Sequence, residues 1–139
     1  MSIAIAKMSM LDYAEVIQLW GQTDGIGLSK ADEPARIAAY LGRNPGMSFT
    51  AREEKELIGA ALAGHDGRRG FLHHLAVRSD RRGQGIGRSL VEACLGSLRE
   101  AGIDKCHLFV FQDNQEGLAF WRNIGWKERV EIVLMSANL

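Results

Sequence analysis

Proline is scarce in this chain of 139 residues, at two, and cysteine is equally scarce, also at two. Cys94 and Cys106 make neither a C-x-x-C pair nor a series of spaced pairs. That excludes a disulfide framework and leaves buried, reduced thiols as the simplest reading. The four histidines, His65, His73, His74 and His107, show no metal-ligand spacing with Cys106, so no metal is expected. Charge of one sign is also missing: 17 Lys and Arg balance 17 Asp and Glu. A protein that neutralises nucleic-acid phosphates needs a basic surplus, so no nucleic-acid partner is expected. No apolar run approaches the roughly 18 residues of a membrane span. The stretch Ile3-Ala4-Ile5-Ala6 is shorter than the roughly 7–15 apolar residues of a secretory signal. The expectation is a cytoplasmic protein with no membrane partner, folded as one domain over residues 1–139.

What the chain has in surplus is glycine. Sixteen in 139 is about 11–12%, against an average near 7%, and no low-complexity tract absorbs them. Turns and close approaches of backbone to a ligand are the uses that fit. Periodicity predicts a first strand over residues 2–7 and a helix over 9–20, with Ser9 as N-cap, Asp12 at its third position and Met10, Ala14, Ile17 and Trp20 on one face. A loop over 24–30 leads to a helix over 32–43 carrying Ile37, Tyr40 and Leu41. Strands are predicted over 47–52 and 57–64, joined by a charged turn at 53–56, and over 71–77 after the turn at 65–70. The pattern then alternates: a helix over 84–101 closed by Gly102, a strand over 105–111, a helix over 114–123 closed by Gly125 and a strand over 131–136. Hairpins followed by alternating strands and helices predict an α/β fold, a mixed and largely antiparallel central sheet with helices on both faces.

The most informative stretch is residues 75–88, where a buried strand runs into a glycine-rich turn that opens directly into a long helix. The first N–H groups of a helix lack internal partners and carry the positive end of its dipole. Glycines remove the Cβ atoms that would hold an anion away from them. Arg78, Arg81, Arg82 and Arg88 against Asp80 make the stretch locally basic within a neutral chain. A phosphate or pyrophosphate site is the physical reading. The dinucleotide fingerprint G-x-G-x-x-G fails, because Arg88 stands at its third glycine, and the P-loop form is absent. What remains is Arg82-x-x-Gly85-x-Gly87.

Leu75-Ala76-Val77 followed by Arg82-Gly83-Gln84-Gly85-Ile86-Gly87-Arg88 resembles the acetyl-CoA-binding motif of the GNAT family of N-acetyltransferases, in its small single-domain bacterial type. Residues 114–126 are similar to that family's second signature: Asn114 opens a helix, Phe120 and Trp121 follow, and Gly125-Trp126 close it. The resemblance implies strands 71–77 and 105–111 that splay apart to hold acetyl-CoA, with the pantetheine arm against main chain near Ala76 and Val77. It places the pyrophosphate on the amides from Arg82 to Gly87. Cofactor binding is carried over to Leu75, Ala76, Val77, Arg82, Gly83, Gln84, Gly85, Ile86, Gly87, Arg88 and Asn114. The implied activity is transfer of acetyl from acetyl-CoA to an amine, small molecule or peptide, by direct attack in a ternary complex. The alternative is a non-catalytic CoA-binding sensor or assembly module. Members often pair through sheet edges, so a homodimer is left open.

An acceptor amine with a pKa of about 10.4 is ionised at neutral pH, and removing its proton costs roughly 4.6 kcal/mol, so a positioned base is needed. His73 and His74 lie on the strand expected to line the thioester, and simple alternation points them to opposite faces. The resemblance places a base two or four residues before Leu75, at His73 or Phe71, and His73 is preferred, with His74 second. Trp121 fills the place where many members carry a tyrosine acid; an indole N–H donates a hydrogen bond but delivers no proton. Water, Tyr13 or Tyr40 are the substitutes left open. Glu53, Glu54 and Glu56 read as a solvated hairpin tip, and Asp24, Asp32 and Glu33 as a solvated loop.

Overall fold

The sheet follows the chain. In the computed structural model, which describes residues 2–139, the strands β1 (Ile3–Lys7), β2 (Phe49–Glu53), β3 (Glu56–His65) and β4 (Gly70–Val77) pair as consecutive antiparallel neighbours. The short β5 (Cys106–His107) adds to β4 in parallel. Two helices, α1 (Tyr13–Gly21) and α2 (Pro34–Arg43), lie between β1 and β2 in the chain, and α3 (Ile86–Glu100) lies between β4 and β5. The chain forms two compact units, one ending at Phe109 and the other spanning Val110–Leu139, which carries α4 (Gln115–Asn123).

Both faces of the sheet are covered, as the pattern predicts. Gly59 and Ala60 are successive residues of β3 and therefore face opposite ways. Ala60 joins Leu57, Leu62 and Ala76 in a cluster with Val16, Leu19 and Trp20 of α1 and Ile37 of α2. Gly59 lies under α3, where an added Cβ would stand 2.9 Å from Leu90 Cδ1 and 3.2 Å from the Ala76 carbonyl oxygen. That face is closed by Ile86, Leu90, Val91, Cys94 and Leu98, all buried. The far end of α3 stops at Gly102, whose φ of 85° belongs to the left-handed region. Its N–H bonds to Arg99 O at 2.9 Å and that of Ile103 to Leu98 O at 3.0 Å, while Leu98 and Ile103 pack together. This is the Schellman closure that Gly102 promised.

Three predictions need correction. The buried stripe of the first helix is Val16, Leu19 and Trp20, with Tyr13 and Ile17 half-buried, whereas Met10 and Ala14 are exposed. The reason is local: Ser9 caps a 3-10 turn at Met10–Asp12, and the α stripe begins only after it. The strand predicted over 105–111 shrinks to Cys106–His107. Residues 131–136 lie outside the sheet, with Val133 and Met135 exposed. Alternating apolar residues supply a face, but a strand also needs a neighbour to bond with, and neither segment's sequence names one.

Short pairing at β5 has a consequence for β4. The two strands meet only at Gly70↔Cys106 and Phe71↔His107. Beyond Phe71 no strand among the described residues pairs with the outer edge of β4, up to the point where the chain enters the glycine loop. No helix among the described residues is long and apolar enough to cross a membrane.

Candidate active site

The loop after β4 is built around two left-handed glycines. Gly83 has φ 78° and Gly85 φ 81°, and Gly85 is the N-cap of α3 without any side-chain cap. The first helical bond runs from Ser89 N to Gly85 O at 3.0 Å, so the N–H groups of Ile86, Gly87 and Arg88 find no acceptor within the helix. A Cβ built on Gly83 or Gly85 meets nothing within 4 Å. These glycines are therefore required by backbone conformation, and the space beside them is open. An uncapped helix start with clear space before it fits a diphosphate, which needs several convergent N–H donors.

The arginines divide their duties in a way the sequence did not reveal. Arg81 grips Glu53 in a bidentate pair at 2.8 and 3.0 Å, and Arg78 bonds Asp80 at 2.7 Å and Glu56 at 3.3 Å. Glu53 is thus a brace that ties the loop to the end of β2, not a member of a solvated tip, while Glu56 stays exposed as expected. The Arg81 guanidinium holds the Glu53 carboxyl below the usual carboxylate range. Arg82 Nε donates to the Val77 carbonyl at 3.2 Å, Gln84 Oε1 accepts from Arg81 Nε at 3.3 Å, and Arg88 is exposed. On the strand leading in, Ala76 is buried and Leu75 and Val77 are half-buried.

Simple alternation fails at the two histidines, because β4 carries a bulge there. Leu62 pairs with His74 and Ala63 with Leu72, so His73 is an extra residue with no partner on β3. Both rings consequently meet elements of the α1 and α2 side. His73 lies edge-on to Tyr40 of α2 at 5.5 Å and stacks on Phe71 at 6.1 Å. His74 Nε2 lies 2.8 Å from Asp32 Oδ1, and its ring is 4.9 Å from that of Trp20. His73 is exposed and makes no hydrogen bond to the described residues. Desolvation by its crowded surroundings lowers its pKa below the ordinary histidine value, the neighbouring His74 pushes the same way, and Asp32 opposes. The result is an imidazole that is neutral at pH 7 with a lone pair available to accept a proton.

Asp32 is the residue that sequence reasoning misjudged. It is buried, and its Oδ2 accepts from Ser29 N at 3.0 Å while its Oδ1 meets His74. The signal was available: Ser29-x-x-Asp32 repeats the capping-box spacing of Ser9-x-x-Asp12, and both boxes form. Tyr13 donates its hydroxyl to the Asp32 carbonyl at 2.6 Å and is thereby engaged. Tyr40, pushed up to about 12 by burial, keeps its proton beside His73. In the second unit, Asn114 caps α4, its Oδ1 accepting from Gly117 N at 3.0 Å. Trp121 is half-buried there between Phe120 and Trp126, each at 5.0 Å.

Comparisons with known proteins agree with one another. The family model described as Acetyltransferase (GNAT) family matches residues 13–126. An acetyltransferase of Pectobacterium atrosepticum is 29% identical over 128 residues, which cover 92% of this chain and 89% of that protein. An acetyltransferase of Photorhabdus laumondii is 30% identical over 129 residues, covering 92% and 90% respectively. Among solved structures, a PaiA N-acetyltransferase from Thermoplasma acidophilum in complex with coenzyme A is similar with a TM-score of 0.76 at 20% identity, over 91% of each chain.

Proposed function

This chain belongs to the acetyltransferase (GNAT) family and is an acetyl-CoA-dependent N-acetyltransferase, and we propose that it holds the cofactor diphosphate on the Arg82–Gly87 loop and passes acetyl directly to a primary amine deprotonated by His73. The observation that carries the reading is the uncapped head of α3, with Gly83 and Gly85 left-handed and nothing within 4 Å of where their side chains would stand. The N–H groups of Ile86, Gly87 and Arg88 would receive the diphosphate, with Arg82 and Arg88 adding positive charge. Leu75, Ala76 and Val77 would offer the pantetheine arm the strand edge that β5 leaves uncovered. For Asn114 and Trp121 the support is the second signature alone; within its unit Asn114 is already committed as a helix cap.

Acetyl-CoA supplies the acetyl group as a thioester, and the chain's own task is to present a neutral amine to it. The exposed imidazole of His73 accepts the ammonium proton, which a base poised below neutrality does without itself being charged beforehand. A covalent acyl-cysteine route is disfavoured by the thiols: burial pushes Cys94 up to about 12 and Cys106 up to about 11, so neither is a thiolate at neutral pH.

Release of free thiol from acetyl-CoA, followed over a panel of primary amines, tests the assignment. Once an acceptor is found, initial rates at varied amine and varied acetyl-CoA are expected to give intersecting double-reciprocal lines. Parallel lines, the mark of a covalent intermediate, would contradict direct attack.

A further inference from the structure

Resting on the reading of His73 as the base, the rings around it bear on what the acceptor is. A Cβ built on Gly70 would stand 2.9 Å from Leu98 Cδ1 and 3.4 Å from Cys106 Sγ, so Gly70 and its partner Cys106 face α3. The next pair in register, Phe71 and His107, therefore faces the opposite side, that of α1 and α2. It is also the last pair that β4 makes with β5. Across that point runs a chain of ring contacts. Phe109 stacks on Phe71 at 6.4 Å, Phe71 stacks on His73 at 6.1 Å, and His73 meets the edge of Tyr40 at 5.5 Å. His107 leans on Phe71 at 5.9 Å. Tyr40 ends the row in a fixed place, because Gly64, opposite Phe71 on β3, leaves its hydroxyl the space that a Cβ would fill.

One exposed phenylalanine is ordinary on a protein surface. Phe109, at 57% exposure, is instead the outer end of a row that leads ring by ring to an exposed histidine. The direction of the cofactor gives that row a use. With the diphosphate at Arg82–Gly87 and the arm running back along Val77, Ala76 and Leu75, the thioester arrives beside His73, and Phe71 and Phe109 lie beyond it. An amine presented to His73 therefore has those two rings next to the atoms its nitrogen is attached to. Rings of this kind hold flat apolar groups by offset stacking and edge contacts. They supply no counter-ion for a second ammonium group. Asp32, the carboxylate bonded to the adjacent His74, is buried, with Oδ1 on His74 Nε2 and Oδ2 on Ser29 N.

We propose that Phe71 and Phe109 form the acceptor subsite of this enzyme, and that the acceptor is a primary amine carrying an aryl group on a short linker. Its nitrogen meets the His73 imidazole and its ring lies against Phe71 and Phe109. The transfer itself balances as in the direct route. The ammonium gives one proton to His73, the C–N bond forms as the thioester C–S bond breaks, and a second proton from the nitrogen ends on the departing thiolate. Phe71 and Phe109 move no proton. They are specificity-determining residues, and their contribution is to hold the body of the acceptor so that its nitrogen stays at the base.

The experiment compares kcat/KM for 2-phenylethylamine, ethylamine and putrescine at saturating acetyl-CoA, in the full-length wild type, Phe109→Ala and Phe109→Leu. In the wild type 2-phenylethylamine is expected to exceed each of the other two by at least about tenfold. Phe109→Ala should cut the ratio of 2-phenylethylamine to ethylamine by about fivefold or more, through KM, and Phe109→Leu should restore part of it. A general structural defect would lower all three amines alike and leave the ratio where it was. Putrescine or ethylamine used as well as 2-phenylethylamine, or a ratio unmoved by Phe109→Ala, would overturn the proposal. If none of the three is acetylated, the reading of His73 as a base is what fails. Calorimetric titration of 2-phenylethylamine into the CoA-loaded protein then decides the subsite alone: binding that Phe109→Ala weakens supports it, and no binding, or binding indifferent to the substitution, refutes it.

Discussion

Valine in place of Gly85 is expected to weaken acetyl-CoA binding by at least about 100-fold, equivalent to roughly 2.7 kcal/mol, with the fold retained. Two effects act together. At φ 81° a β-branched residue is strained, by about 1–2 kcal/mol even for an ordinary side chain, and relaxing that strain turns the first amides of α3 away from their common focus. The added side chain also enters the space that is open in the protein, where nothing stands within 4 Å, so its collision is with the ligand. For the same reason the substitution creates no clash inside the protein, and circular dichroism should show an intact structure. Calorimetric titration of the variant checks the point: an affinity within tenfold of wild type would mean that the diphosphate lies elsewhere.

The second large effect is on chemistry. His73→Ala is expected to lower kcat by about 10²–10⁴-fold, the usual contribution of a positioned acid–base group. The pH dependence carries the sign. Desolvation and His74 lower the pKa of His73 from its ordinary 6.5, so the base is already deprotonated at pH 7. Activity should fall only when pH drops through that lowered value, giving an acidic limb of kcat/KM below 6.5, and the limb should vanish in the variant. A loss smaller than tenfold with an unchanged limb would remove His73 from the mechanism.

The parts legible in the sequence are those fixed by local chemistry. Ser9 and Asp12 announce a cap and make one, Gly102 announces a helix stop and provides it, and Gly83 and Gly85 sit at the left-handed positions that the turn needs. The apolar strand at 71–77 is covered on both sides because helices lie on both faces. What stayed hidden depends on pairing between distant segments. The bulge at His73 arises from the register of β4 on β3, which no reading of β4 alone can supply. Asp32 and His74 are 42 positions apart, and Arg81 and Glu53 are 28 apart. Contacts at such separations are decided by the assembled sheet, so charged residues that look solvated in sequence become braces and clamps. The strands expected at 105–111 and 131–136 failed for the same reason: apolar alternation was present, and the bonding neighbour was not specified.

The central claim is that the amides opening α3 hold the diphosphate of the cofactor. Titration calorimetry with acetyl-CoA beside S-acetylpantetheine, which has the same thioester and arm but no diphosphate or nucleotide, tests whether that end of the cofactor carries the affinity. Binding of acetyl-CoA with the truncated thioester at least about 100-fold weaker is the predicted outcome. Equal affinity for the two would contradict the account.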